Sequence, residues 1–206
     1  MPTTPLPSET EAVLDAAAAC YLTVGVTKTT AADIARAAGM SRATLYRRFG
    51  SHEAIFLAVL ERESLAMAAD AEQHLAGITD PPQRLVEAMM YSLAQIRNRP
   101  MHAAIFTGDS AAWAAGRAFR QQALRQIAET AIRPRLVPAA AAGALTDQQV
   151  ADIVDWILRI LISFAAVPGP ADRGSDDIRR QLTALFLPAF ISALGPETGT
   201  GDPRVR

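Results

Sequence analysis

The stretch SRATLYRRFGSHEAIF, which begins at residue 41, concentrates side chains that are suited to contact nucleic acid. These side chains belong to Arg42, Tyr46, Arg47, Arg48 and Phe49. Arginine can pair with the O6 and N7 atoms of guanine in the DNA major groove, and hydroxyl or cationic groups can hold phosphates. The segment therefore predicts a nucleic-acid contact, provided that a helix presents these side chains on one face.

The chain as a whole carries almost no net charge. Its 206 residues include 20 Lys and Arg against 21 Asp and Glu, which gives −1 at pH 7. Between Lys28 and His52, however, five basic residues stand against Asp33 alone. Attraction to a polyanion must be local to this segment, because no overall positive field draws the protein to nucleic acid.

Nearly every segment has the composition and spacing of a helix. Ala, Leu, Arg, Gln and Glu dominate, apolar residues recur three and four positions apart, and strand-like alternation is absent. Residues that can cap a helix N-terminus stand at Ser8, Thr30, Asp80 and Thr146. We predict an all-α fold, with helices over residues 9–22, 31–38, 42–49, 52–75, 82–97, 101–106, 111–133, 147–166 and 176–194.

Residues 29–49 have the spacing of a helix-turn-helix. Ile34 and Ala35 give the first helix an inward face, and Leu45 closes the small core from the second. Gly39 suits the turn because glycine readily adopts a positive φ, and Ser41 can cap the second helix. The outward positions of this second helix are then Arg42, Ala43, Tyr46 and Arg47, with Arg48 beside the next turn.

A helix placed in this way can read the major groove from its N-terminal turns. We expect Arg42 to pair with guanine, the Ala43 methyl to touch a thymine methyl, and Tyr46 to contact a phosphate or a sugar edge. Phosphate contacts are expected from Thr29, Thr30, Thr44 and the helix N-terminus at His52. The alternative is that these side chains only solvate an exposed helix.

The longer string AADIARAAGMSRATLYRRFGSHEAIFLAVL resembles the DNA-binding signature of the TetR family of bacterial repressors, IA-x-x-AG-(apolar)-S-x-x-(T/S)-LY-x-x-F-x-S-K-E. The likeness extends over about residues 11–60. It implies a three-helix DNA-binding domain, residues 8–52, and a helical ligand-binding and dimerisation body, residues 53–195, without enzymatic activity. The ends, residues 1–7 and 196–206, are expected to be disordered.

The resemblance also assigns roles by position. It implies base contacts by Arg42, Ala43 and Tyr46, and phosphate contacts by Thr30, Thr44, Arg48 and His52. Two positions depart from the family pattern. His52 stands where lysine is usual, which predicts a weaker and pH-sensitive phosphate contact. Ala31 and Ala32 stand where a basic residue is frequent, which predicts a shorter readout of the DNA.

The last two predicted helices are apolar around much of their circumference, which indicates one face for the core and another for a partner. We predict that they form a four-helix interface in a homodimer, as the resemblance also implies; the alternative is a larger monomer core. The expected interface residues are Ile153, Ile157, Ile160, Leu161, Phe164, Ile178, Leu182, Leu185, Phe186 and Phe190. Two-fold symmetry would place two recognition helices about 34 Å apart on a palindromic operator.

Methionine and aromatic residues between the helices predict a mainly apolar ligand cavity, although each is also an ordinary core residue. The expected lining residues are Met67, Met90, Tyr91, Phe106, Trp113, Phe119 and Trp156. Tyr91 and the indole N–H of Trp113 are the expected polar anchors. A bulky apolar or aromatic small molecule fits this set best.

Other classes of site find little support in the sequence. Cys20 is the sole cysteine, the three histidines have no paired spacing, and no Gly-rich phosphate loop or clustered carboxylates occur, so we expect no disulfide, metal, cofactor or catalysis. The N-terminus lacks the pattern of a secretory signal, and the apolar runs are too short to span a bilayer. We therefore expect a cytoplasmic location.

The leading hypothesis is a ligand-responsive DNA-binding regulator, most simply a repressor that a small molecule releases from its operator. The rival is a small helical ligand carrier or enzyme that does not bind DNA. An activator would use the same surfaces as a repressor, so the sequence leaves this choice open. No recognisable motif identifies the effector, the operator or the target genes of the protein.

Overall fold

The computed structural model describes residues 8–106, 125, 126, 128–130, 132, 146–167 and 174–193, and all of its regular structure is helical. This confirms the predicted all-α fold. The described helices are α1 (Glu9–Val24), α2 (Ala31–Ala37), α3 (Arg42–Phe49), α4 (His52–His74), α5 (Pro81–Asn98), α6 (Pro100–Phe106), α7 (Asp147–Ala166), α8 (Ser175–Gln181) and α9 (Leu187–Ala193). A π-helical turn, Leu182–Phe186, joins α8 to α9.

The helix starts follow from local side-chain capping. The Ser8 and Asp80 side chains accept hydrogen bonds from the backbone N–H three residues ahead. Thr30 and Thr146 form reciprocal capping boxes with Asp33 and Gln149, respectively. Each cap satisfies backbone donors that have no partner inside the helix, which explains why the four predicted starts are confirmed within one residue.

Two parts of the predicted helix pattern need comment. The last predicted helix, residues 176–194, contains the π-helical turn, which the apolar spacing alone does not reveal. Most of the predicted helix 111–133 lies outside the described residues, as do the predicted disordered ends. The described residues within 125–132 are helical.

The buried side chains form two clusters. The first joins α1–α4 to α6 and to the end of α7, through residues such as Tyr21, Ile105 and Ile162. The second joins α5 and α7 to the π-helical turn and α9. Leu158 of α7 packs against both clusters. Since the first cluster runs from the N-terminal helices into α6 and α7, the predicted domain division at residue 52 stays a prediction.

Five of the predicted dimer residues lie in the core of the chain itself. They are Ile153, Ile157, Leu182, Phe186 and Phe190. Their side chains pack with α5 and one another and are at most 8% exposed in the single chain, so each leaves little surface for a partner, and their place in a dimer interface stays a prediction. The outward face instead presents Leu185, which is 72% exposed, together with Trp156 and Ile191. Among the described helices, none is both long and apolar enough to cross a membrane.

Candidate nucleic-acid interface and internal cavity

The turn between α2 and α3 fixes the direction of α3. Gly39 has a φ of +67°, the left-handed conformation that glycine adopts at low cost. Ser41 accepts a hydrogen bond of 3.1 Å from the backbone N–H of Thr44 and so caps α3. Leu45, the one fully buried residue of α3, anchors the helix on the first core cluster. The opposite face of α3 is therefore held outward.

The outward face of α3 presents unpaired cations. Arg42, Ala43 and Arg47 are exposed, and the Arg42 guanidinium lies 5.9 Å from the centre of the Tyr46 ring. Neither Arg42 nor Arg47 has an acidic partner within the described part of the chain. This face is free to contact an anionic or hydrogen-bonding partner without first breaking an internal ion pair.

Arg48 differs from these two arginines because its guanidinium forms an ion pair with Glu9 of α1. The hydrogen bond and the charge of Arg48 hold the pKa of the Glu9 carboxyl below its usual range. A phosphate that binds Arg48 must share it with, or take it from, Glu9.

The three threonines expected at phosphates are not equivalent. Thr29 is only 4% exposed, and its hydroxyl donates to the backbone carbonyls of Gly25 at 2.8 Å and Cys20 at 3.2 Å. In the structure it fastens the loop before α2, and its predicted DNA contact stays a prediction. Thr30 is exposed, although its hydroxyl donates to Asp33 at 2.6 Å, and the Thr44 hydroxyl lies 3.0 Å from that of Ser41.

His52 occupies the first position of α4, directly after the cap residue Ser51. Its side chain is half-buried, and its ring meets the buried Tyr21 ring edge-on at 6.1 Å between centres. Burial raises the pKa of the Tyr21 phenol, which therefore stays neutral. Packing against Tyr21 restricts the imidazole more than it would restrict a flexible lysine side chain at this position.

A cavity of about 130 Å³ lies between α4, α5, α6 and α7 and is bordered also by Ala128 and Ile132. Met67 and Phe106 line it as expected, and so do Ile157 and Leu161, which were assigned to the dimer interface. Met90, Tyr91 and Trp156 are not among its lining residues; Tyr91 instead stacks on His74 with ring centres 4.7 Å apart. The expected contributions of Trp113 and Phe119 fall outside the described residues.

His102 of α6 is one of the polar lining residues that the sequence analysis did not predict. It is 1% exposed, and neither ring nitrogen has a hydrogen-bond partner among the described residues. Burial, assisted by the charge of Arg99, lowers the pKa of His102 to about 4, so the ring is neutral at pH 7. The available signal was its spacing of four from Phe106, which puts both side chains on one face of a helix.

The cavity and the N-terminal helices share structural elements. Helix α6 contacts both regions: Met101 and Ile105 pack in the first core cluster, and His102 borders the cavity. On α4, Arg62 donates hydrogen bonds to Glu11 and Asp15 of α1. A shift of α4 or α6 at the cavity would therefore change the contacts of these helices with α1.

The family model described as "Bacterial regulatory proteins, tetR family" matches residues 13–59, which hold most of α1, all of α2 and α3, and the start of α4. This N-terminal segment is therefore similar to the DNA-binding domain of the TetR family. The resemblance of its signature is thus confirmed. An uncharacterized HTH-type transcriptional regulator of Mycobacterium tuberculosis, found in strains CDC 1551 and H37Rv, is 28% identical over 171 residues, which cover 83% of this chain and 80% of the relative.

Several solved structures share the fold over most of the chain. The TetR family repressor AlkX from a Dietzia species has a TM-score of 0.67 at 21% identity, covering 93% of this chain and 100% of AlkX. RolR in complex with resorcinol has a TM-score of 0.65 at 16% identity, covering 90% and 91%. FadR from Bacillus subtilis in complex with stearoyl-CoA has a TM-score of 0.57 at 14% identity, covering 84% and 97%. These structures show the shared fold, while the family model and the name of the Mycobacterium tuberculosis relative support a TetR-type transcriptional regulator with a DNA-binding helix-turn-helix.

Proposed function

We propose that this protein is a ligand-responsive repressor that binds a palindromic operator as a homodimer and is released from it by a mainly apolar small molecule. The observation that carries the proposal is the outward face of α3, where Arg42 and Arg47 stand exposed and without acidic partners in the described structure. Because bacterial DNA lies in the cytoplasm, the protein would act there, and it needs no catalytic activity.

The proposed DNA contacts follow the positions of the side chains. Arg42, Ala43 and Tyr46 would read base edges, since they occupy the N-terminal turns of a capped helix that can enter the major groove. Phosphates would be held by Ser41, Thr30, Thr44, Arg47, Arg48 and His52. The Arg48 contact would cost the ion pair with Glu9, so we expect it to contribute less than the Arg42 contact.

The proposed dimer uses the outward faces of α7 and of the segment formed by α8, the π-helical turn and α9. Leu185 at 72% exposure and Trp156 at 40% are large apolar side chains that a second copy would cover. Ile160 and Phe164 of α7 and Ile178 of α8 are half-buried and would extend this surface. Pairing two α3 helices on one operator multiplies weak half-site binding, because the second half-site is then bound intramolecularly.

The proposed effector site is the cavity that α4 and α6 share with α5 and α7. The complexes of RolR with resorcinol and of FadR with stearoyl-CoA support small-molecule binding within this fold. A ligand can release DNA only if it binds the released arrangement more tightly, and a coupling of roughly 1–3 kcal/mol is usual. Here α4, through Arg62, and α6, through Met101 and Ile105, connect the cavity to α1.

The test is selection of duplexes from a random pool by the purified protein, followed by fluorescence anisotropy at several salt concentrations. We expect a palindromic consensus, and an affinity that falls steeply with salt because phosphate contacts release counterions. A carrier or enzyme without DNA binding would enrich no sequence and would show no steep dependence on salt. Either of those results would reject the proposal.

A further inference from the structure

The cavity has a size and a lining that restrict what can occupy it. Its volume is about 130 Å³, close to that of an engineered protein cavity of roughly 150 Å³ that binds benzene. Of its described lining residues only Ser64, Ser92 and His102 are polar, and none carries a charge at pH 7. None of the described lining residues would give a carboxylate or ammonium ligand a counter-charge, and an unpaired charge is costly in an apolar site.

The polar lining residues differ in how much of their hydrogen-bonding capacity is unused. The Ser92 hydroxyl already donates to the backbone carbonyl of Ala88 at 2.8 Å. His102, by contrast, is 1% exposed and both of its ring nitrogens lack a protein partner in the described structure. A neutral imidazole has one N–H donor and one nitrogen acceptor, and burying either without a hydrogen bond is unfavourable.

A hydroxyl group matches this imidazole because it can accept from the N–H or donate to the bare nitrogen. We propose that His102 recognises the hydroxyl group of a compact, neutral, otherwise apolar ligand, of which a single-ring phenol is the simplest case. Burial keeps the pKa of His102 near 4, so the imidazole offers a hydrogen bond and not a charge. The proposal rests on the proposed function only in taking this cavity as the effector site.

Phenol and toluene test the proposal, since they have nearly the same shape and differ in the hydroxyl group. Isothermal titration of the full-length protein at pH 7 should show that phenol binds about tenfold or more tightly than toluene, which corresponds to about 1.4 kcal/mol. In His102→Leu, of similar volume and without polar atoms, this preference should disappear. In His102→Gln, which keeps a donor and an acceptor, part of it should remain.

His74→Phe is the matched control, because His74 is exposed at the end of α4 and does not line the cavity. It should keep the preference for phenol. Thermal unfolding of each variant shows whether it is folded. If His102→Leu is unfolded, the comparison of phenol and toluene is made with His102→Gln instead. Equal binding of phenol and toluene, no binding of either, or a preference that survives His102→Leu would overturn the proposal.

Operator release is measured separately. If phenol binds through His102 but leaves the affinity for the selected operator unchanged, the effector role in the proposed function fails while the recognition by His102 stands. If another compound releases the operator while phenol and toluene bind equally, the repressor proposal stands and the role of His102 is rejected.

Discussion

Arg62 on α4 donates a hydrogen bond of 2.8 Å to the carboxylate of Asp15 on α1. The same guanidinium nitrogen lies 3.1 Å from Glu11, one turn earlier on α1. Two residues beyond Arg62, α4 begins to line the cavity at Ser64 and then at Met67. A single side chain thus ties the first helix of the DNA-binding domain to the helix that forms the cavity wall.

Arg62→Met should weaken this tie while keeping the aliphatic stem in place. We expect a loss of about 1 kcal/mol in the free energy of unfolding, since exposed ion pairs contribute little each but Arg62 serves two carboxylates of α1. Urea unfolding at low and high salt measures it, with Arg62→Lys as the control that keeps the charge. Equal stability of Arg62→Met and the unaltered protein at low salt would contradict this role.

Arg42→Ala should reduce operator affinity by about 1–3 kcal/mol, because it removes a side chain that can pair with a guanine edge. Arg97→Ala is its matched control: Arg97 is an exposed arginine on α5, outside both α3 and the residues assigned to the dimer. Fluorescence anisotropy with the selected operator compares the two variants. Similar losses in both would show that the effect reflects total charge and not readout by α3.

Gly39→Ala should destabilise the protein by about 1–2 kcal/mol, the cost of placing a residue with a Cβ in the left-handed region. Backbone strain is the sole cause expected, because a Cβ at this glycine would meet no atom within 4 Å. Gly77 is equally uncrowded but has no positive φ, so Gly77→Ala should be neutral or slightly stabilising. Thermal unfolding distinguishes them, and equal melting temperatures would refute the explanation by strain.

His102 should make the protein less stable as the pH falls from about 6.5 to 4. Its pKa is about 4 in the folded protein against the ordinary value of 6.5, so the unfolded chain takes up a proton that the folded chain does not. The full contribution is present above pH 6.5, and at most about 3 kcal/mol is lost by pH 4. Urea unfolding across this range should give a shallower pH dependence for His102→Leu, and parallel curves would contradict it.

Leu185→Glu should dissociate the proposed dimer, because a charge would replace a side chain that is 72% exposed in the single chain and would be covered by the partner. Leu65→Glu changes an exposed leucine of α4, outside the predicted interface, and should leave assembly unchanged. Analytical ultracentrifugation at micromolar concentration reports both. A monomeric unaltered protein, or a dimeric Leu185→Glu variant, would reject the assigned surface.

Local chemistry made much of this structure predictable. The Thr30 and Thr146 capping boxes need only residues three positions apart, and Arg42 follows directly from the cap at Ser41, so the helix starts and the face of α3 could be read from the sequence. Thr29 shows the limit of this reasoning. Its type and its neighbours suggest a phosphate contact, but its hydroxyl is used by the carbonyl of Cys20, nine residues away.

Tertiary packing decided the features that the sequence did not reveal. The pattern of α7 and the last helix showed two apolar faces but not which one points inward, so Ile157 and Phe186 were assigned to a partner although they lie in the core. His102 was not recognised because its chemistry depends on burial among residues of four helices. Spacing along one helix cannot report what neighbouring helices leave unpaired.

The π-helical turn Leu182–Phe186 holds one residue more per turn than the α-helical segments on either side. Because the wider turn takes up one extra residue, deleting one residue within it would restore α-helical hydrogen bonding and leave the residues beyond nearly in phase with those before it. The same deletion in the middle of α7 would turn every later side chain of that helix by about 100°. Single-residue length changes should therefore be tolerated better at residues 182–186 than elsewhere in the C-terminal helices.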